Sequence, residues 1–387
     1  MSSFWIILIL GALNTITPFS IDLYLPAFPA IAHDFSTEVE TISLTISTYF
    51  LGFSIGQILY GPLLDRFGRK KPITFGLLIY IFATFACTYC QSVRELMVWR
   101  FIQALGGSAA SVASTAMVRD FFPIDQSAKV FSMMTLILGL SPLLAPTIGG
   151  WISAALGWHF IFVSLAVITA FILVCTLIFL PDGHPPDRSV KLAPKIILND
   201  FYEILKNADF FLYAITGSLS FSGLFVYVAG SPAIFLEGFK VSQSAYSAIF
   251  AFLAVGMLSG SQLNLWFGKR YSNRLIFKSA LQTQAILGVL FFIFAIFVPA
   301  NLAGTLTFLF FLLMCSGVTY PNAASLALAP FADNAGRASA LLGFLQLGLG
   351  SLICAGVGIS DYKGTLPTAC VMAISAVLGL GLLLSKV

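Results

Sequence analysis

Apolar runs of about twenty residues recur from one end of this chain to the other, and short segments between them carry nearly all its charge. A helix needs about 20 apolar residues to cross hydrocarbon. Charged residues make up 9% of the 387 and hydrophobic ones 58%, whereas a soluble domain carries about 25% charged residues. A membrane barrel would show segments of about ten alternating residues instead. The pattern predicts an all-α integral membrane protein of twelve transmembrane helices, over 4–27, 41–64, 72–92, 95–118, 129–153, 157–181, 209–231, 244–267, 275–298, 303–329, 337–360 and 365–385.

The cations orient these spans. With the N-terminus inside, the cytoplasmic loops hold most of the 20 Lys and Arg, and only Arg94, Lys240 and Lys363 face out. The inverted topology would break the positive-inside rule throughout. Both termini are therefore expected in the cytoplasm, and the net charge of +4 reflects orientation, not a nucleic-acid partner. The first run outlasts a signal peptide's apolar stretch and is expected to be retained. All six cysteines fall in apolar spans and read as small packing residues; Cys87 and Cys90 lack a second ligand pair for a metal. His33, His159 and His184 have no metal-ligand spacing.

The stretch 182–208, rich in Pro and charge, breaks the apolar pattern and divides the chain into a six-helix half over 1–181 and another over 209–387. Ile196–Leu205 reads as an amphipathic helix on the inner membrane face. A faint repeat joins the halves: Gly52 and Gly56 precede Asp65 and Arg66 at the offset by which Gly256 and Gly260 precede Lys269 and Arg270. Parallel repeats of this kind build transporters with a site at the repeat interface.

Few ionisable groups fall inside the spans: Asp22 is the only acid well within one, and Arg100 the only base. Each costs at least about 2.5–3.5 kcal/mol in hydrocarbon and so marks a functional site. At 1.5 Å per residue both fall in the outer third of the membrane, a depth that permits pairing. Burial and a nearby cation act in opposite senses on a carboxylate's hold on its proton. Asp22 is therefore the candidate proton carrier and Arg100 the group that tunes it; a static ion pair is the alternative.

Several segments resemble the major facilitator superfamily. Gly61-Pro62-Leu63-Leu64-Asp65-Arg66-Phe67-Gly68-Arg69-Lys70-Lys71 is similar to its loop between helices 2 and 3. Ser20-Ile21-Asp22-Leu23-Tyr24-Leu25-Pro26 looks like the helix 1 signature of the Bcr/CflA drug-resistance branch, a group of drug:proton antiporters. Arg100–Gly107 resembles the helix 4 motif, whose Arg is implicated in proton coupling. Ser141–Gly150 resembles the helix 5 antiporter motif, with Ala145 where the broad pattern has Gly, and Trp158–Phe162 matches the entry to helix 6. The resemblance implies a gate in which Asp65 faces the start of helix 11 near Gly336 with Arg119 beside it. Gly61, Arg66, Gly68 and Arg69 shape that loop, the two glycines as tight turns.

Gly139, Pro142, Pro146, Gly149 and Gly150 bend helix 5 and admit a close neighbour. Asn14, Tyr24, Tyr49, Phe221, Phe225, Asn322 and Gln346 are candidates for an aromatic, mostly apolar substrate cavity. Asn14 stands where some related antiporters carry a second acid. No nucleoside-triphosphate loop and no catalytic constellation is present, so neither an ATP-driven pump nor an enzyme is expected, and no cofactor. The expected function is proton-coupled multidrug efflux by a monomer in the bacterial inner membrane, its partners being a small-molecule substrate, protons and the lipid bilayer. Transport of an endogenous metabolite or siderophore is the alternative; a membrane sensor would lack the buried acid.

Overall fold

The computed structural model describes residues 3–122, 130, 133–134, 137, 139, 141–187, 194–298, 300–331, 335–358 and 364–385. Among them eleven helices are long and apolar enough to cross a membrane. The predicted fifth span, 129–153, lies partly outside the described residues. The chain forms two compact units, Met1–Phe35 with Thr48–Leu198, and Ser36–Ser47 with Asn199–Val387.

The first unit contains α1 (Ser3–Asp22), α2 (Phe28–Asp34), most of α3 (Val39–Phe67), α4 (Lys70–Cys87), α5 (Val93–Phe121), α6 (Ser141–Leu156) and α7 (His159–Phe179). α1 stops earlier than the predicted boundary at residue 27. Pro26 offers no backbone N–H, and the chain tightens into a 3-10 turn over Leu25–Ala27 before α2. Asp22 is thus the last residue of its helix. α5 starts with a reciprocal cap: Ser92 Oγ accepts from the Glu95 amide, and Glu95 accepts from the Gln91 amide. Its small residues Ala109, Ala110 and Ala113 are fully buried against Leu10, Leu13, Ile73 and Leu77, which lets α1 and α4 approach α5 closely.

The second unit contains the larger part of α8 (Pro194–Leu205), which begins in the first unit, and α9 (Ala208–Pro232), α10 (Gln243–Phe267), α11 (Asn273–Phe297), α12 (Leu302–Leu328), α13 (Ala335–Gly358) and α14 (Thr365–Ser385). Asn207, Ser242, Ser272 and Asn301 cap the first amides of α9 to α12 in turn, each worth about 1 kcal/mol. α8 is the predicted amphipathic helix, begun at Pro194. The start of α3 belongs here: Ser351 Oγ donates to the Ser47 carbonyl at 2.7 Å.

The glycine pairs do the same work in both units. A Cβ on Gly52 would strike the Phe101 carbonyl and one on Gly56 the Ser108 hydroxyl, so α3 lies against α5. A Cβ on Gly256 would sit 2.9 Å from the Phe310 carbonyl and one on Gly260 would strike that of Met314, so α10 lies against α12. The faint sequence repeat is a packing repeat.

Candidate functional site: a buried acid and a caged arginine

At the end of α1 the Asp22 side chain is 8% exposed. Its Oδ2 accepts a hydrogen bond from Ser141 Oγ at 2.7 Å. Gly149, two turns further along α6, makes this possible: a Cβ there would collide with the Leu23 carbonyl. The helix 1 and helix 5 motifs thus meet at one carboxylate.

Arg100 is fully buried on α5. Its Nη1 donates to Gln103 Oε1 at 2.7 Å, and its Nη2 to the Ser20 carbonyl at 3.1 Å. Gln103 Nε2 in turn donates to Thr84 Oγ1 at 2.7 Å. Three rings surround the guanidinium, with centroids 4.2 Å (Tyr49), 4.7 Å (Tyr24) and 5.9 Å (Phe162) from Cζ. Cation–π contacts are worth about 2 kcal/mol or more when desolvated. The expected pairing of Arg100 with Asp22 is not what the structure holds: among the described residues Arg100 has no carboxylate within 4 Å. The link is indirect, through the backbone of Ser20, two residues before Asp22. The Ser20 hydroxyl also meets Tyr80 Oη at 2.5 Å.

The 61–71 segment closes differently from its expected form. Gly61 is no turn; α3 runs through it and through Pro62 to Phe67. The residue before a proline is pushed out of helical geometry by clashes of the proline ring with its N–H and its Cβ, and glycine lacks the second. Gly68 does turn, at φ +78°. Arg69, 9% exposed, then donates from Nη1 to Asp65 Oδ1 and from Nε to Asp120 Oδ2, both at 2.9 Å. Burial opposes its charge, but the bonds to Asp120 and Asp65 outweigh it and hold the guanidinium above its ordinary pKa. Arg119, expected beside Asp65, is exposed and carries no ion pair among the described residues; the residue at the end of α5 that joins the cluster is Asp120, which Arg69 bridges to Asp65. One residue is about 100° on a helix, so Arg119 and Asp120 cannot both point into the cluster. Arg66 stacks on Phe67 at 5.8 Å.

The loop after α7 docks on this cluster. The His184 amide donates to Asp120 Oδ2 at 3.0 Å, the Asp187 amide to the Asp65 carbonyl at 3.0 Å, and Lys70 pairs with Asp182 at 3.2 Å. A Cβ on Gly183 would lie 2.6 Å from both Arg69 Cγ and Asp120 Oδ2. In the second unit, Arg337 Nη1 pairs with Asp200 of α8 at 2.8 Å.

The predicted cavity residues separate into groups. Tyr24 and Tyr49 are fully buried against Arg100 and form its cage. Asn14 is half-buried and accepts from Ser111 Oγ at 3.1 Å. In the second unit Phe221 packs edge-on against Phe225 at 5.3 Å and tilted against Tyr320 at 4.5 Å. Asn322 is buried and bonds to Asn264 Oδ1 and the Val318 carbonyl, which ties α12 to α10. Gln346 is buried with its Nε2 unpartnered among the described residues. In the helix 5 motif Pro146, Gly149 and Gly150 are buried and Pro142 half-buried, while a Cβ at Gly139 meets nothing within 4 Å. Trp158 Nε1 donates to Asp34 at 2.6 Å, pinning α7 to α2. Carboxylate oxygens of Glu38, Glu40 and Glu237 lie within 4.8 Å of one another in the second unit.

Ser20, Gln103, Ser141 and Asp120 escaped the sequence reading as individual residues. Gln103 had a signal, since i and i+3 share a helix face. Asp120 had none, being 51 residues from its partner.

A family model described as Major Facilitator Superfamily matches residues 10–355. An uncharacterized MFS-type transporter YdgK of Bacillus subtilis is 30% identical over 96% of this chain and 92% of its own length. A bicyclomycin resistance protein homolog of Haemophilus influenzae is 30% identical over 91% and 88%. The multidrug resistance protein MdtL of Escherichia coli is 27% identical over 91% and 88%. Among solved structures, a D-xylose-proton symporter superposes with TM-score 0.74 at 15% identity, covering 97% of both chains. A POT family transporter reaches 0.75 at 14%, over 98% and 94%. At such identities the structural likeness speaks for the fold alone.

Proposed function

The chain belongs to the Major Facilitator Superfamily and is a multi-pass membrane transporter, not an enzyme, and from that premise we propose that it exports small apolar or amphipathic compounds in exchange for protons. The observation that carries this reading is the buried Asp22 carboxylate, held by Ser141 and joined through Ser20 to a caged Arg100. A carboxylate so enclosed can take or release a proton only when its surroundings open, which is what coupling demands. Arg100 acts through the Ser20 carbonyl: any shift of α5 moves the end of α1, and with it Asp22.

Transport then proceeds by alternating access, with 1–181 and 209–387 as the two halves and 182–208 as their connection. Asp65, Arg69 and Asp120 form the cytoplasmic latch, with the 182–187 loop as its clasp. Asn14, Phe221, Phe225 and Gln346 are the proposed substrate contacts. The protein works as a monomer in the bacterial inner membrane with both termini in the cytoplasm. The names of two relatives, a bicyclomycin resistance protein homolog and a multidrug resistance protein, support a drug-like substrate.

The test is substrate-induced proton release from purified protein over a panel of antibiotics and cationic dyes. Release by wild type and none by Asp22→Asn is expected. Release undiminished in Asp22→Asn would remove Asp22 from the coupling. A folded wild type that responds to no compound would instead point to a dedicated metabolite carrier.

A further inference from the structure

A groove of about 400 Å3 opens between α10, α11 and α12 of the second unit. Its walls include Leu263, Phe267, Ile276, Met314 and Val318, with the hydroxyl of Ser279 among them, and the half-exposed Tyr271 and Leu275 line its end. Cations bracket that end. Lys269, Arg270 and Arg274 are exposed and Lys278 half-buried. Arg274 and Lys278 lie one turn apart on α11, in the stripe beside Leu275 and Ser279. The Arg270 guanidinium lies over the Trp266 ring at 5.2 Å, which holds it near the membrane-facing surface.

Nothing within this part of the chain balances that charge. The sequence has no Asp or Glu from Gly238 to Ala332, and none of the four cations has a carboxylate within 4 Å among the described residues. Elsewhere Arg69, Lys70, Lys206 and Arg337 do have such partners. An apolar groove ending in cations that have no carboxylate partner among the described residues is complementary to an apolar chain with an anionic head. Basic pockets between transmembrane helices take anionic lipid headgroups on the same grounds.

We propose that this groove is a binding site for an anionic phospholipid. An acyl chain lies along Leu263, Phe267, Ile276 and Val318, and the headgroup phosphate is held by Lys269, Arg270, Arg274 and Lys278. Native mass spectrometry of the purified full-length protein, titrated with phosphatidylglycerol or with phosphatidylethanolamine of the same chains, tests it. Phosphatidylglycerol should be retained preferentially. Each cation removed should weaken it about fivefold, so Arg270→Gln with Arg274→Gln should cost about twenty-five-fold. Ser279→Trp, which fills the groove and leaves the cations, should weaken it as well. Lys269→Gln with Lys278→Gln serves if the arginine pair fails to fold, as judged by gel filtration. Equal retention of the two lipids, unchanged retention in the charge variants, or a lipid-free dimer occupying this face would overturn the assignment.

Discussion

Replacing Asp120 by Asn tests the latch most directly. Asp120 accepts three hydrogen bonds, from Arg69 Nε at 2.9 Å, Arg69 Nη2 at 3.3 Å and the His184 amide at 3.0 Å. Its side chain is 11% exposed and that of Arg69 9%. Truncating one partner of a buried pair costs about 3–5 kcal/mol. The loss here is smaller for two reasons. Arg69 keeps Asp65, although Asp65 is 59% exposed and its pairing is weakened by solvent. The Asn oxygen also preserves one acceptor, while its NH2 turns a donor toward a guanidinium that has only donors. We expect about 2 kcal/mol, or about thirtyfold in the opening equilibrium of the 182–187 loop. Amide hydrogen exchange reads this at His184, whose protection should fall by about that factor. Arg119→Ala, one residue away and exposed, should change it by no more than about twofold. Equal protection in Asp120→Asn and wild type, or an effect of Arg119→Ala as large as that of Asp120→Asn, would refute the assignment of Asp120 as the latch acid.

Three further substitutions follow from single contacts. Gly149→Val should separate α6 from the end of α1, break the Ser141–Asp22 bond, and lower thermal stability by at least the about 1–3 kcal/mol typical of overpacking; a variant with unchanged melting temperature and proton release would contradict the close approach to Leu23. Arg100→Lys keeps the charge but loses the planar fork shared by Gln103 and Ser20 and the stacking on Tyr24 and Tyr49; it should cost about 2 kcal/mol of stability and transport should fail, whereas wild-type export by the lysine variant would show that charge alone suffices. Gly68→Ala forces a Cβ into φ +78° at about 1 kcal/mol, read as several-fold faster exchange at His184 and Asp187; no change would mean the turn is not what positions Arg69.

Composition alone settled that this chain lies in a membrane, because a surface so poor in charge has no favourable contact with water. Run length settled where most helices lie, since the hydrocarbon thickness fixes how many apolar residues a span requires. Thr365–Ser385 was read to the residue. The glycine repeat was legible as well, because close backbone approach leaves its mark on residue type. Asp22 and Arg100 stood out through their cost in hydrocarbon. What each of them touches did not, for contacts between helices depend on rotation about each axis, and a 100° step decides between Arg119 and Asp120. Only the tertiary structure shows that Arg100 rests on rings and a carbonyl rather than on Asp22, that a serine from the helix 5 motif holds the acid, and that Tyr24 and Tyr49 wall the arginine. Hydropathy constrains which residues leave water; the partners they find there are set by packing between segments far apart in the chain.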